Sequence, residues 1–283
     1  MSNSQDLVFT LYGDYIRHRG GEAWTGSLIE LLGLLGLSKQ AVRSTLSRMS
    51  RKGWLKSSRS GRHSYYAQTS RLLALLEEGA QRIFYPRHDP WEGRWYLLTY
   101  SIPESKRALR RNLRKRLLWL GFGALHQATW ISPRDLRPEV RQIVDSLNIH
   151  AYVELFTAEH CGFSTDEEIV ARCWNLEELN DYYADFITRY TPAFQECQAR
   201  LMAGDSFDLA ECFVQRFMLV HEYRSSLYVD PNLPRALLPE DWLGHRATLL
   251  FQQYRDLLTE KADGFVDAVL ARAPRKETEC TRQ

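Results

Sequence analysis

The stretch that decides the fold is TGSLIELLGLLGLSKQAVRSTLSRMSRKGWLKSSRSGRHSYY, from Thr25 to Tyr66. Residues 25–37 carry apolar side chains at helical spacing. Ser38 stands where a helix N-cap belongs, and the helix it opens is expected to run to about Lys52. Gly53 suits the C′ position that closes such a helix. WLKSSRSGRHSYYA follows and reads as strand, basic turn with Gly61, strand. A helix, a capped helix and a basic hairpin in this order predict a winged helix-turn-helix.

Charge points the same way. The chain of 283 residues has a net charge of only +2, which by itself selects no partner. Yet no Asp or Glu lies between Glu30 and Glu77, while Lys39, Arg43, Arg48, Arg51, Lys52, Lys56, Arg59, Arg62 and Arg71 do. Positive charge gathered into one stretch is the footprint expected of phosphate binding. The helix from Lys39 to Lys52 also divides by angle. Val42, Thr45, Leu46 and Met49 fall on one side and should face the core. Gln40, Arg43, Ser44, Ser47 and Arg51 fall on the other, where they would meet base edges or phosphates. Arg43, Ser44 and Ser47 are the candidates for base contact, with Lys39 and Arg48 placed for phosphates. Arg59, Arg62 and His63 surround the hairpin turn and form the candidate wing. Of Tyr65 and Tyr66, one should pack inward and the other is free to meet phosphate. The competing reading is a solvated basic helix on an unrelated small domain.

Outside this window the composition is that of an ordinary globular protein, 44% hydrophobic and 25% charged. Cys161, Cys173, Cys197, Cys212 and Cys280 fit no zinc spacing and form no C-x-x-C pair. They read as reduced thiols of a cytosolic protein. The opening MSNSQDLVF lacks a basic segment followed by a long apolar run, and LIELLGLLGL is too short to span a bilayer. A cytoplasmic location without membrane contact is the expectation.

Residues 5–16 and 69–84 read as helices flanking the basic window. HRGGE (18–22) reads as a loop, with anion binding at the next helix N-terminus as its alternative. PRHDPWEG (86–93) is the clearest boundary, because prolines and glycine break any periodic element. RWYLLTYSIPE then reads as a buried strand, 105–120 as an amphipathic helix with Leu109, Leu113, Leu117 and Leu120 on one face, and ALHQATWIS as a strand. Residues 135–147 read as a helix and IHAYVELFTA as a strand. The order β-α-β-α-β predicts a ferredoxin-like domain that lacks or hides one strand. From Asp166 the pattern is helical, with breaks at Gly204 and across DPNLPRALLPED. The fold class is α+β, divided as 1–86, a winged helix-turn-helix; 87–175, a ferredoxin-like middle domain; and 176–283, a helical C-terminal domain.

YGDYIRHRGGEAWTGSLIELLGLLGLSKQAVRSTLSRMSRKGWLKSSRSGRHSYYA resembles the opening of the PaaX family, the repressors of phenylacetic-acid degradation operons. DPWEGRWYLLTYSIPE, LLWLGFGALHQATWISP and LVHEYRSSLYVDPNLPRALLPEDWLGHRA extend the resemblance over nearly the whole chain. It implies the three-part organisation just given, with a middle domain similar to the small subunit of the CRISPR spacer-integration complex. It also implies a homodimer, a double-stranded DNA operator, and release by an aryl-coenzyme A thioester such as phenylacetyl-CoA. Relatives of the middle domain include metal-dependent nucleases with an Asp at the end of the first strand. Here Ser101 stands near that place, which argues against nuclease chemistry.

Other clusters have more than one reading. Lys106, Arg107, Arg110, Arg111, Arg114, Lys115 and Arg116 crowd one helix. Arg107, Arg110, Arg111 and Arg114 are candidates for capturing coenzyme A phosphates. DNA-backbone contact and a plain solvated face are the alternatives. His221 and Arg224, three apart on a predicted helix, are candidate pocket residues for the effector, against packing around the DPNLP turn. Trp91, Trp95, Trp119, Trp130 and Trp174 suit a core or an aryl pocket. No P-loop, GxGxxG, GxSxG or HExxH motif occurs.

The expectation is therefore a repressor, with no catalytic residue, metal or cofactor. Two readers in a symmetric dimer would meet inverted half-sites. An effector bound between the middle and C-terminal regions would change their separation. The alternatives are a regulator of another operon without CoA control, or a metal-dependent nuclease built on the middle domain.

Overall fold

A computed structural model describes residues 4–84, 90–226 and 230–274. The expected boundary at 86–93 falls largely outside these residues, as does Cys280. The chain is α+β. In its first part come α1 (Ser4–Asp14), β1 (Glu22–Trp24), α2 (Thr25–Leu34), α3 (Lys39–Arg51), β2 (Leu55–Ser60), β3 (His63–Gln68) and α4 (Ser70–Phe84). There follow β4 (Arg94–Tyr100), α5 (Arg107–Trp119), β5 (Gly123–His126), β6 (Thr129–Ser132), α6 (Arg137–Leu147) and β7 (Val153–Glu159). The chain ends in α7 (Asp166–Cys173), α8 (Leu176–Met202), α9 (Leu209–Ser226) and α10 (Gly244–Ala271). The residues pack as two units. One comprises 1–85, 189–223 and 248–283; the other comprises 86–188 and 224–247.

The first unit contains α1, α2, α3 and α4 and a small antiparallel sheet of order β1-β3-β2. Leu7, Val8 and Leu11 of α1, Leu28, Leu31 and Leu32 of α2, and Val42, Leu46 and Met49 of α3 share one core. Phe213 and Phe217 of α9 and Ala262, Val266 and Val269 of α10 complete that core. Burying each large apolar side chain contributes about 1.5–3 kcal/mol. Polar bonds add specificity: Ser27 Oγ donates to the Val269 carbonyl, and Tyr65 Oη donates to the Pro274 carbonyl.

Local chemistry sets the element ends. α2 stops at Leu34 rather than Leu37, because Gly36 turns left-handed at φ +86°. The Leu37 and Gly36 amides then donate to the Leu32 and Gly33 carbonyls, closing a Schellman motif. α3 ends the same way. Gly53 has φ +73°, and the Trp54 and Gly53 amides bond back to Met49 and Ser50. β1 is absent from the sequence reading, which made HRGGE a loop. Glu22, Ala23 and Trp24 pair antiparallel with β3, and α2 begins only after them. The two glycines therefore precede a strand and not a helix.

The second unit holds a four-stranded antiparallel sheet of order β5-β6-β4-β7. Leu98, Tyr100 and Trp130 face Leu113 and Leu117 of α5 and Val140, Ile143 and Val144 of α6. Trp95 and Ile131 face the other way, onto Ile169 and Val170 of α7 with Leu233 and Leu237. Both faces of β4 are covered, which is why RWYLLTY reads as a continuous apolar run. ALHQATWIS, expected as one strand, is the hairpin β5–β6. Its turn at Gln127 and Ala128 has no Gly, Pro, Asn or Asp to announce it, and a register shift follows Ala124. The strand expected to be missing or hidden is present as the second arm of that hairpin.

Candidate nucleic-acid interface

α3 is built to present one face. Ser38 Oγ accepts from the Ala41 amide at 3.2 Å and caps the first turn. Val42, Thr45, Leu46 and Met49 are buried, as their spacing predicts. Lys39, Gln40, Arg43, Ser44, Ser47, Arg48 and Arg51 are exposed. Arg48 Nη2 donates at 3.4 Å to Thr45 Oγ1. Lys39, Arg43 and Arg51 make no ion pair or hydrogen bond among the described residues. The helix thus offers cations, hydroxyls and one carboxamide with their bonding capacity uncommitted.

The hairpin beside it is tight. Ser60 pairs with His63, which leaves Gly61 and Arg62 as a two-residue turn. Gly61 takes φ +55° at the first central position, where type II′ turns favour glycine. Arg59 and Arg62 are exposed at the tip. His63 is half-buried, edge-on to Trp24 with ring centroids 5.8 Å apart. Tyr65 is the inward tyrosine, and Tyr66 is half-buried with its carbonyl accepting from Tyr12 Oη at 2.8 Å. Lys52 and Lys56 are also exposed. They lie in the acid-free window but fall outside the angular selection made on α3. Arg71 is engaged elsewhere, with its guanidinium 3.9 Å from the Trp54 ring centroid.

The effector candidates lie on two helices, α5 and α9. Arg107, Arg111 and Arg114 are exposed on α5, and Arg110 pairs with Glu104 at 2.7 Å. His221 is 8% exposed, with Nδ1 2.8 Å from Thr10 Oγ1 and its ring stacked on Phe217. Arg224 lies half-buried one turn further along α9. Of the tryptophans, Trp95 and Trp130 are buried. Trp95 Nε1 donates to Asp166, and Trp174 Nε1 donates to the Gly121 carbonyl. A cavity of about 650 Å³ opens at the α7–α8 junction, lined by Val170, Cys173, Trp174, Leu176, Leu237 and Leu238 among others. Its charged lining includes Glu167, Glu177 and Glu240 against Arg172.

Ser101 is exposed just beyond β4. Among the described residues no group of three or more His, Cys, Asp or Glu could hold a metal ion. Among them also, no helix is long and apolar enough to cross a membrane.

The chain thus joins a capped helix with an exposed basic face and a tight basic hairpin to an antiparallel sheet covered by helices on both faces. Three family profiles match it in succession: PaaX-like protein over residues 3–72, PaaX protein central Cas2-like domain over 88–170, and PaaX-like protein C-terminal domain over 174–268. The chain belongs to the PaaX family, and its middle domain is Cas2-like. A curated relative, Transcriptional repressor PaaX of Escherichia coli (strain K12), is 34% identical over 248 residues. That alignment covers 86% of this chain and 77% of the relative. A solved structure, an uncharacterized protein from Mycobacterium tuberculosis, has a similar fold. Its TM-score is 0.56 at 23% identity, covering 94% of this chain and 98% of that one.

Proposed function

We propose that this chain is a transcriptional repressor that binds double-stranded DNA through a winged helix-turn-helix. α2 and α3 form the helix pair, and the β2–β3 hairpin is the wing. The observation that carries the reading is the exposed face of α3, basic and hydroxylated, on a capped helix inside a segment without a single acid. Arg43, Ser44 and Ser47 read base edges in the major groove; Gln40 and Arg51 flank them on the same face. Lys39 and Arg48 hold phosphates, and Arg59, Arg62 and His63 reach the neighbouring backbone or groove. The name of the E. coli relative supports the same reading. So the chain acts as a regulator and not as an enzyme.

The β4-α5-β5-β6-α6-β7 unit is ferredoxin-like in this reading, since its sheet order β5-β6-β4-β7 is the one that fold requires. The functional division is a reader to about residue 86, a middle domain to about 175, and helical C-terminal residues thereafter. The repressor works in the cytoplasm as a homodimer on inverted half-sites. It controls a phenylacetate-type catabolic operon and is released by an aryl-CoA thioester such as phenylacetyl-CoA, without a bound cofactor. These last features rest on the family resemblance. A fluorescence-anisotropy titration on the promoter of its own operon tests them. Binding should be tight, prefer that promoter over random duplex, and weaken as phenylacetyl-CoA is added. Indifference to thioesters overturns the effector, and equal affinity for random duplex overturns the repressor reading.

A further inference from the structure

The acid-free window around α3 has a counterpart. From Ser105 to Arg134 there is again no Asp or Glu, while Lys106, Arg107, Arg110, Arg111, Arg114, Lys115, Arg116 and Arg134 fall inside it. The two windows hold seventeen of the 37 lysines and arginines and none of the 35 acids. The rest of the chain, with twenty cations against 35 acids, is strongly acidic. A protein of net charge +2 thus has two long basic stretches without an acid, and α5 is the centre of the second.

The seven cations of α5 and the turn before it do different work. Four are engaged within the unit. Lys106 Nζ donates to Tyr152 Oη at 2.8 Å, and Arg110 pairs with Glu104. Arg114 lies 5.8 Å from the Trp130 ring centroid, and Arg116 Nη1 donates to Ser146 Oγ at 2.5 Å. Arg107, Arg111 and Lys115 are exposed and have no partner among the described residues. Their i, i+4, i+8 spacing puts them in one row, opposite the buried Leu113 and Leu117. The row rises about 6 Å per step, or about 12 Å in all. Steps of about 6 Å are within reach of successive backbone phosphates for side chains as long as Arg and Lys, so the row suits about three phosphates of one strand. Like charges four apart destabilise a bare helix, a standing cost that a polyanion would relieve.

We propose that the solvent face of α5 is a second DNA-backbone contact, with Arg107, Arg111 and Lys115 on phosphates. This inference rests on the DNA-binding reading of α3 and adds to it a sequence-independent anchor. Once α3 has found its site, the second contact is intramolecular, so even a weak phosphate clamp raises overall affinity. It reads no bases.

The test uses the full chain, its own promoter duplex with long flanks, and salt. Each phosphate neutralised contributes about 0.9 to the slope of log K against log salt. The R107A/R111A/K115A variant should flatten that slope by about 2–3, with its preference for promoter over random duplex unchanged and its melting temperature intact. R107K/R111K, which keeps the charge, should retain the wild-type slope. An unchanged slope in the triple variant overturns the inference and leaves the reading of α3 standing. A triple variant that binds DNA normally but no longer responds to phenylacetyl-CoA also overturns it, in favour of thioester phosphates. Conversely, R43A with unaltered sequence preference overturns the assignment of α3 while leaving the α5 contribution to the slope measurable.

Discussion

Asp14 at the end of α1 and Arg216 in α9 are 202 positions apart in sequence, yet Oδ2 and Nη1 lie 2.6 Å apart. A second bond, Arg216 Nη2 to Asp14 Oδ1, measures 3.3 Å, and each side chain is only 7% exposed. Burial pushes the Asp14 carboxyl up, and the guanidinium beside it opposes that shift. Arg216 Nε also donates to Thr259 Oγ1 in α10 at 3.2 Å. The pair ties the first helix to two helices from the far end of the chain.

Removing one partner would leave a buried charge uncompensated. Arg216→Ala is expected to cost about 3–5 kcal/mol of stability, read by urea denaturation. Replacing both partners with apolar residues of similar volume, as in Asp14→Leu with Arg216→Met, should cost much less. A single substitution costing under about 1 kcal/mol would show that the pair is solvated in solution.

On α3 the two kinds of contact should separate experimentally. Arg43→Ala is expected to cost about 1–3 kcal/mol on the operator and to relax preference at one base position. Lys39→Ala should weaken all duplexes alike and reduce the salt slope by about one. Equal losses on operator and random DNA for both variants would contradict the division of the helix face.

Two glycines allow a graded test of backbone conformation. Gly53 is left-handed, but a Cβ there meets nothing within 4 Å. Gly53→Ala should therefore cost only the conformational strain, about 1 kcal/mol. Gly121 is left-handed too, and a Cβ there would sit 2.7 Å from the Pro231 carbonyl oxygen. Gly121→Ala adds a backbone clash and should be clearly worse, with a correspondingly larger drop in melting temperature. A smaller drop than that of Gly53→Ala would refute the contact with Pro231.

Burial pushes the Cys173 thiol up to about 11. Near pH 8 only about one such thiol in a thousand is the reactive thiolate. Peptide mapping after iodoacetamide at pH 8 should find Cys161, the exposed cysteine among the described residues, alkylated well before Cys173, Cys197 or Cys212. The Cys173 rate should climb about tenfold per pH unit between 8 and 10. Fast labelling of Cys173 at pH 8 would contradict its burial.

Local chemistry made much of this legible in the sequence. Ser38, Gly53 and Gly61 mark cap, stop and turn with residues whose backbone preferences are specific. The apolar rhythm of α3 divides core from surface correctly. β1 escaped notice because three residues are too few to establish a period of two. The β5–β6 hairpin escaped because Gln127 and Ala128 are not turn-forming types. Least legible were the long-range partners. Nothing near Asp14, Ser27 or Tyr65 shows that Arg216, Val269 and Pro274 will satisfy them. The signal at α5 was visible as a cluster of cations, but sorting engaged residues from outward ones required Glu104, Trp130, Ser146 and Tyr152 in place.

The core of the first unit has a consequence for how the chain is made. Ser27 waits for the Val269 carbonyl, 242 residues later. At about 5–20 residues per second, a ribosome takes roughly 12–48 seconds to deliver it. Meanwhile Leu28, Leu31, Leu32 and Val42 have only part of their cover, whereas the sheet that contains β4 to β7 emerges and closes in the interval. Newborn chains therefore carry an open apolar surface at their leading end for most of synthesis, a target for holding chaperones.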